Sequence, residues 1–473
     1  MSIFNNLKWN AVSQIFKIAT QVVSMVYLAR LIPPAEYGIM AMATVITNFA
    51  VLFRDLGTSA AIIQKDNLDE TTTSSVFWLN SFLGLVVSII IIITSPLLSY
   101  IYHQPQLISI LILLSLNFLI SGTSSLHLAL LERKSQFNII AKIEIFSFLI
   151  ALIVAIVMAA QGFGVYSLVC QSLVSTFGSA CLLWHYSPWR PKGRPKNMIA
   201  NLKQIYKFSS QLSLFNIINY FSRNLDSFLI GRYMPASTLG AYNLAYRIML
   251  FPLTSLTFIA NRSLFPILSQ KKNNYNDIEK IYLNTIYLIW FITLPFITII
   301  SSLNDVFILA IFGNNWLLSA DILIWLAPTA IIQSVLSTTG TIFMSQGRTG
   351  ILLALGIQGT ILTGLAFLIG IQHGIVELAK YYFIANVVHF IPCMFFTMHI
   401  IRSKLLKVII KTYPLFFSAG IAYILLWNLK TNFDNSLSSL IILSLIGFST
   451  YIVLLLPTRS IRDYISKKRY SSS

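Results

Sequence analysis

The sequence predicts an all-α polytopic membrane protein with about 14 transmembrane helices, in two pseudo-symmetric six-helix lobes followed by two C-terminal helices. Three observations lead there: the composition, the length of the apolar runs and an internal repeat. Of the 473 residues, 56% are hydrophobic and only 10% charged, with a mean hydropathy of +0.75. A soluble domain carries about a quarter charged residues, so lipid is the main solvent of this chain. The formal net charge of +18 does not indicate nucleic acid, because the basic residues sit in short segments between apolar runs. Cys170, Cys181 and Cys393 lie inside apolar runs without disulfide or metal spacing, and Met1–Lys8 shows no cleavable signal pattern.

A spanning helix needs about 20 predominantly apolar residues. Runs of that kind lie at about 10–32, 38–63, 76–99, 107–131, 139–160, 164–185, 208–232, 240–268, 282–302, 318–345, 350–371, 375–399, 410–430 and 437–456. With the N-terminus in the cytoplasm, 24 of the 33 Lys and Arg fall in inside segments, among them Arg133, Lys134 and the cluster Arg190–Lys207. Three (Arg30, Arg232 and Lys430) fall outside and six within spans, a strong positive-inside signal. The domains follow: an N-lobe over 1–186, a basic, Pro-rich cytoplasmic linker over 187–207, a C-lobe over 208–400, and two extra spans with a basic tail over 401–473. The longest external stretch, around Asn304–Ser319, is mostly apolar and leaves no room for a soluble catalytic domain.

The repeat relates the two lobes. Arg30, Pro33, Gly38 and Ala43 recur as Arg232, Pro235, Gly240 and Ala245, each 202 residues on, and Trp78-Leu-Asn-Ser81 resembles Tyr282-Leu-Asn-Thr285. Six spans separate the copies, so the repeat is parallel, with its pseudo-axis along the membrane normal and a cleft between two bundles.

Polar residues inside spans are the informative ones. In the first span Asn10, Ser13, Gln14, Lys17, Gln21 and Ser24 fall on one helical face. The 202-residue offset carries Gln14, Lys17, Gln21 and Ser24 onto Asn216, Asn219, Arg223 and Asp226. The second span adds Thr44, Thr47, Asn48 and Asp55 with Arg54 beside them; the eighth adds Asn243, Arg247, Thr254, Thr257 and Asn261. A charge at the bilayer centre costs about 2.5–3.5 kcal/mol on insertion scales, so such residues face a cavity or a partner. Lys17, Arg54, Arg223 and Arg247 therefore mark a cationic cleft for an anionic substrate, lined by Gln14, Gln21, Asn48, Asn216, Asn219 and Asn243. Asp55 and Asp226 are the candidates for holding a coupling proton or sodium ion; no cofactor site is read.

Structural readings stand beside these. Arg223 and Asp226 are spaced to neutralise each other, Lys17 and Arg262 lie within snorkelling reach of an interface, Glu377 and Lys380 form a pair three apart, and Asn or Gln can join helices without touching substrate. The six histidines show no ligand spacing and there is no Walker loop, so nothing points to an enzyme or an ATPase.

Several segments resemble one family. Leu28-Ala-Arg-x-x-Pro-x-x-Glu-Tyr-Gly38, Asp55-Leu-Gly-Thr-Ser-Ala-Ala-Ile-Ile-Gln64, Gly162-Phe-Gly-Val-Tyr-Ser-Leu-Val169, Asn219-Tyr-Phe-Ser-Arg-Asn-Leu-Asp226 and Tyr242-Asn-Leu-Ala-Tyr-Arg247 are similar to motifs of Wzx-type polysaccharide flippases. The likeness is to the colanic-acid-exporter-like branch, within the multidrug/oligosaccharidyl-lipid/polysaccharide superfamily, and covers about residues 5–400. It implies a bacterial cytoplasmic-membrane protein working by alternating access; the Lys and Arg distribution puts both termini inside. The implied substrate is an undecaprenyl-pyrophosphate-linked O-antigen or exopolysaccharide repeat unit, the implied partners membrane lipid and other polysaccharide-assembly proteins. Basic residues line the cavity of related lipid flippases; Lys17, Arg54 and Arg223 fit that description here. A multidrug cation antiporter of the same superfamily and a membrane glycan polymerase or ligase are the alternatives.

Overall fold

A computed structural model describes residues 3–55, 62, 69–191, 220, 224–271 and 274–456; within these, a few helical side chains, chiefly at 3–8 and 252–263, are not described. The described chain is almost wholly helical: α1 (Ile3–Leu31), α2 (Pro34–Asp55), α3 (Glu70–Tyr102), α4 (Gln106–Arg133), α5 (Phe137–Ala160), α6 (Val165–Tyr186), α7 (224–233), α8 (Ala236–Gln270), α9 (Tyr275–Ser302), the short α10 (Asn304–Ile311), α11 (Leu317–Ser345), α12 (Thr349–Gly370), α13 (Ile375–Ile400), α14 (Leu405–Leu429) and α15 (Leu437–Leu455).

Twelve of the described helical segments are long and apolar enough to cross a membrane, against the fourteen expected. The run at 208–232 lies mostly outside the described residues, and the run at 240–268 lies within α8, which is not among the twelve. The expected linker is described only to residue 191, and the tail from 457 lies outside. The stretch after α9 folds as α10 and a 3-10 turn, with Asn304 Nδ2 donating to the Ala320 carbonyl at 3.0 Å.

Helices are what such a chain must form, because lipid satisfies no backbone N–H or C=O and a helix pairs them internally. Hydroxyls follow the same rule. Thr44 donates to the Met40 carbonyl at 2.7 Å, Ser75 to Thr71 at 2.7 Å and Thr293 to Ile289 at 2.9 Å. Pro34 opens α2, where its missing N–H has no partner to lose. Asn274 caps α9 by accepting from Asp277 N at 3.2 Å, and Ser436 caps α15 by accepting from Ser439 N at 3.3 Å. Large apolar side chains face outward freely, Ile93 being 71% exposed.

The chain divides into two compact units, Met1–Gly240 and Ala241–Ser473. In the first, α3 packs along α4, α5 along α6, α1 against α5, and α4 against both α2 and α6. In the second, α11 and α12 pack on α13, and α9 packs on α11 and α14. The two C-terminal helices join this unit. Glu279 on α9 accepts from Ser403 and Lys407, each at 2.6 Å, and the Tyr451 hydroxyl of α15 donates to the Phe291 carbonyl at 3.3 Å.

The repeat is visible in the backbone. Ile32 N and Met234 N each donate one turn back, to Leu28 O and Ile230 O, at 2.8 Å; Tyr37 N and Leu239 N each donate to the preceding proline carbonyl at 3.3 Å. These pairs are all 202 residues apart. Within the first unit the repeated glycines also meet. A Cβ on Gly38 would run into the carbonyl of Ala236, and a Cβ on Gly240 into that of Pro34. Ala236 and Pro34 are themselves repeat mates, so the contact is reciprocal, and only glycine on both sides lets the two helix starts approach so closely.

Gly38→Val and Gly240→Val should therefore be alike, each costing about 3 kcal/mol or more because the obstacle is backbone. Gly356→Val, where a Cβ meets nothing within 4 Å, should be tolerated. Apparent melting temperature and monodisperse yield in detergent measure this; a stable Gly38→Val protein would contradict the close crossing.

Candidate functional site

The α2 helix carries polar residues at Thr44, Thr47, Asn48 and Arg54, spaced by three, one and six residues so that they share one face. Packing against α4 and α6 turns that face into the wall of a polar cavity of about 310 Å³ within the first unit. The other walls are Leu114, Asn117, Phe118 and Ser121 from α4 and Ser172 and Thr176 from α6. Arg54 Nη1 donates to Ser121 Oγ at 2.6 Å, and Asn117 Nδ2 donates to Ser172 Oγ at 3.0 Å. The Asn117 Oδ1 is buried and has no partner among the described residues. The cavity thus presents one guanidinium, two amides and several hydroxyls. That set suits an anionic or hydroxyl-rich ligand: the guanidinium fork matches phosphate geometry, and amides and hydroxyls can both donate and accept.

The expected cleft residues do not all converge here. Arg54 and Asn48 line the cavity. The α1 stripe is split along its length. Ser13 donates to Glu144 on α5, the Lys17 ammonium lies 5.2 Å from the Phe148 ring centroid on α5, and Ser24 accepts from Gln171 on α6 at 2.9 Å. Gln14 and Gln21, on the stripe's other edge, are exposed. Asp226 is buried, its Oδ1 accepting from Ser227 N at 2.6 Å. Asn243 is half-buried and Arg247 exposed, and neither is without a partner. Asn216, Asn219 and Arg223 lie outside the described residues, as do the side chains of Asn10, Asp55, Thr254, Thr257, Asn261 and Arg262. The Glu377–Lys380 pair forms at 3.1 Å, with the ammonium also 5.7 Å from the Trp325 ring.

Sequence reasoning missed Asn117, Ser121, Ser172 and Thr176. Their signal was faint: each helix shows two polar residues four apart, common in any membrane helix. It also missed Glu144, a carboxylate inside a spanning helix.

The second unit holds a counterpart with a different outcome. The positive-φ caps Gly164 and Gly374 are 210 residues apart, and the positive-φ residues Ser135 and Gly347 that follow α4 and α11 are 212 apart. These offsets carry Ser172 and Thr176 onto Tyr382 and Asn386, and Ser121 onto Gln333. There the side chains bond to one another: Gln333 Nε2 donates to the Tyr382 hydroxyl at 2.6 Å and to Asn386 Oδ1 at 3.2 Å. The 202-residue offset places Leu256 opposite Arg54. At these equivalent positions the first unit thus carries cavity-lining side chains and the second carries side chains bonded to one another.

Comparison with known proteins places this site in a family. The family described as "Polysaccharide biosynthesis protein" matches residues 27–321, well over half the chain and all of the cavity. The chain belongs to this polysaccharide biosynthesis family. It is 27% identical over 406 residues to the teichuronic acid biosynthesis protein TuaB of Bacillus subtilis (strain 168), covering 85% of this chain and 84% of that one. It is 26% identical over 367 residues to the lipopolysaccharide biosynthesis protein WzxC of Escherichia coli (strain K12), covering 77% and 74%. Its fold is similar to that of a solved structure described as the lipid II flippase MurJ, inward closed conformation, with a TM-score of 0.76 at 13% identity over 96% of this chain and 99% of that one.

If Ser121 positions Arg54, the two are energetically coupled. Arg54→Ala and Ser121→Ala should each lower thermal stability in detergent. The double variant should lose less than the sum, by about 0.5–3 kcal/mol, as expected for residues in direct contact. Strict additivity would show that the hydrogen bond contributes nothing.

Proposed function

We propose that this family member is a flippase for a lipid-linked oligosaccharide, carrying an undecaprenyl-pyrophosphate-linked repeat unit across the bacterial cytoplasmic membrane by alternating access. The observation that carries the reading is Arg54, held by Ser121 inside a hydroxyl- and amide-lined cavity of a membrane-spanning bundle. The guanidinium fork matches phosphate geometry, and the amides and hydroxyls around it can both donate and accept. In this reading Arg54 takes the pyrophosphate through charge-assisted hydrogen bonds, and Asn48, Asn117, Ser172 and Thr176 take the first sugar hydroxyls.

The names of the similar proteins support the choice of substrate class. TuaB and WzxC are named for teichuronic acid and lipopolysaccharide biosynthesis, and MurJ for flipping lipid II. An inside-negative potential would help move the anionic head outward, at about 2.3 kcal/mol per charge per 100 mV. We assign any proton or sodium coupling to the buried Asp226. We also place both termini in the cytoplasm, on the distribution of Lys and Arg.

Export tests the reading. In a host lacking its own flippase, Arg54→Ala should lower surface glycan on the order of tenfold or more, the worth of a hydrogen bond to a charged group. Arg54→Lys should recover only part, since lysine keeps the charge and loses the fork. Lys271→Ala, whose Asp277 partner at 2.6 Å is on the surface, should export normally. Normal export by Arg54→Ala at matched protein level would sink the proposal.

Topology has its own test. Alkaline phosphatase fused after Gln104 should be active, and fused after Ser135 inactive; the reverse would place the termini outside.

A further inference from the structure

The α2 helix has a second face. Val45, Phe49 and Phe53, on the side away from the polar cavity, line an apolar groove of about 770 Å³ within the first unit. Its long wall is α3, which contributes Leu83, Val87, Ile90, Thr94, Leu98 and Tyr102, spaced by three or four residues so that they form one stripe. Leu225 and Phe228 of α7 close the other side, and the Tyr220 hydroxyl donates to the Val45 carbonyl. The volume is in the range of about 300–1,000 Å³ usual for ligand sites.

Two features decide what fits. The first is length. Leu83 to Tyr102 is twenty residues of helix, a rise of about 28 Å at 1.5 Å per residue. The hydrocarbon core is about 30 Å thick, so a groove of this length matches nearly its full thickness, whereas a phospholipid chain matches one leaflet. The second is Tyr102. It is 3% exposed and lines the groove, and its hydroxyl has no hydrogen-bond partner among the described residues. An unpaired hydroxyl in an apolar site is costly, and an occupant that brings an acceptor relieves it.

We propose that this groove holds the polyprenyl chain of the lipid-linked substrate. The inference rests on the flippase reading and adds where the lipid lies. Phe53, at one end of the α2 wall, is followed by Arg54 on the opposite face; Tyr102 stands at the far end of the α3 wall. A long chain lying in the groove keeps its pyrophosphate near Arg54 before transfer. After transfer its head oxygens come within reach of the Tyr102 hydroxyl, while the chain stays in apolar surroundings throughout.

The test is photolabelling of the full-length protein in liposomes. One probe is a diazirine-bearing polyprenyl pyrophosphate, the other a diazirine-bearing phosphatidylethanolamine, with labelled peptides mapped by mass spectrometry. The polyprenyl probe should label α2 and α3 peptides, and excess unlabelled polyprenyl pyrophosphate should suppress that labelling about tenfold. Ala50→Trp, or Val86→Trp if the first is unstable, fills the groove and should abolish the labelling and lower export. Tyr102→Phe should reduce export with folding intact. Equal labelling of the same peptides by the phosphatidylethanolamine probe, without competition, would make the groove an ordinary lipid site and overturn the assignment. Polyprenyl labelling confined to other helices, with export still lost in Arg54→Ala, would overturn the groove and leave the flippase reading standing. No polyprenyl labelling together with full export by Arg54→Ala would remove both.

Discussion

Lipid offers no hydrogen bonds, and most polar groups of the described helices answer to that constraint. The backbone satisfies it by forming helices. Most Ser and Thr hydroxyls satisfy it by bonding back to their own helix, as Thr44 does to Met40 and Thr293 to Ile289. What stands out is the small set that do neither. Arg54 reaches across to Ser121, Asn117 reaches across to Ser172, and one amide oxygen is left over. A polar cavity of this kind is stable only because its walls supply the bonds that the solvent cannot, and it is useful because they do not supply quite all of them.

The helices were legible in the sequence because the membrane imposes a length. A run of about 20 apolar residues has few other uses, and the expected spans from 107–131 to 164–185 and from 318–345 to 375–399 match α4 to α6 and α11 to α13 within a few residues at each end. The α10 helix, Asn304–Ile311, was invisible because eight residues are too short to meet that rule. The site was legible only in part. Arg54 stands out as a charge in an apolar run, but its partners on α4 and α6 are ordinary serines, threonines and one asparagine. Periodicity also groups residues on a face without saying what the face meets. The α1 stripe is one face, yet Ser13, Lys17 and Ser24 turn to α5 and α6 while Gln14 and Gln21 are exposed.

Duplication explains a further part of the design. The two copies keep the same backbone turn at Pro33 and Pro235, down to matching hydrogen-bond lengths, and meet at Gly38 and Gly240. They have diverged where chemistry is wanted. At equivalent positions one copy holds Arg54, Ser121 and Ser172 around a cavity, and the other holds Leu256, Gln333 and Tyr382, the last two bonded together. The longer amide and the phenol bond to each other, where the shorter side chains of the first copy line a cavity. Scaffold and site are thus under separate control, the first set by glycine and proline, the second by side-chain length.

Because the polar and apolar walls are opposite faces of α2, they are also independent inheritances. Exchanging a serine for an asparagine on α4 or α6 alters the hydrogen-bonding pattern of one chamber and leaves the other untouched. Under the function proposed above, a lineage can therefore retune the polar chamber while the apolar one stays constant. A change it cannot absorb is a single-residue insertion in α2. That would turn the helix by roughly 100° and present each chamber with the other's wall.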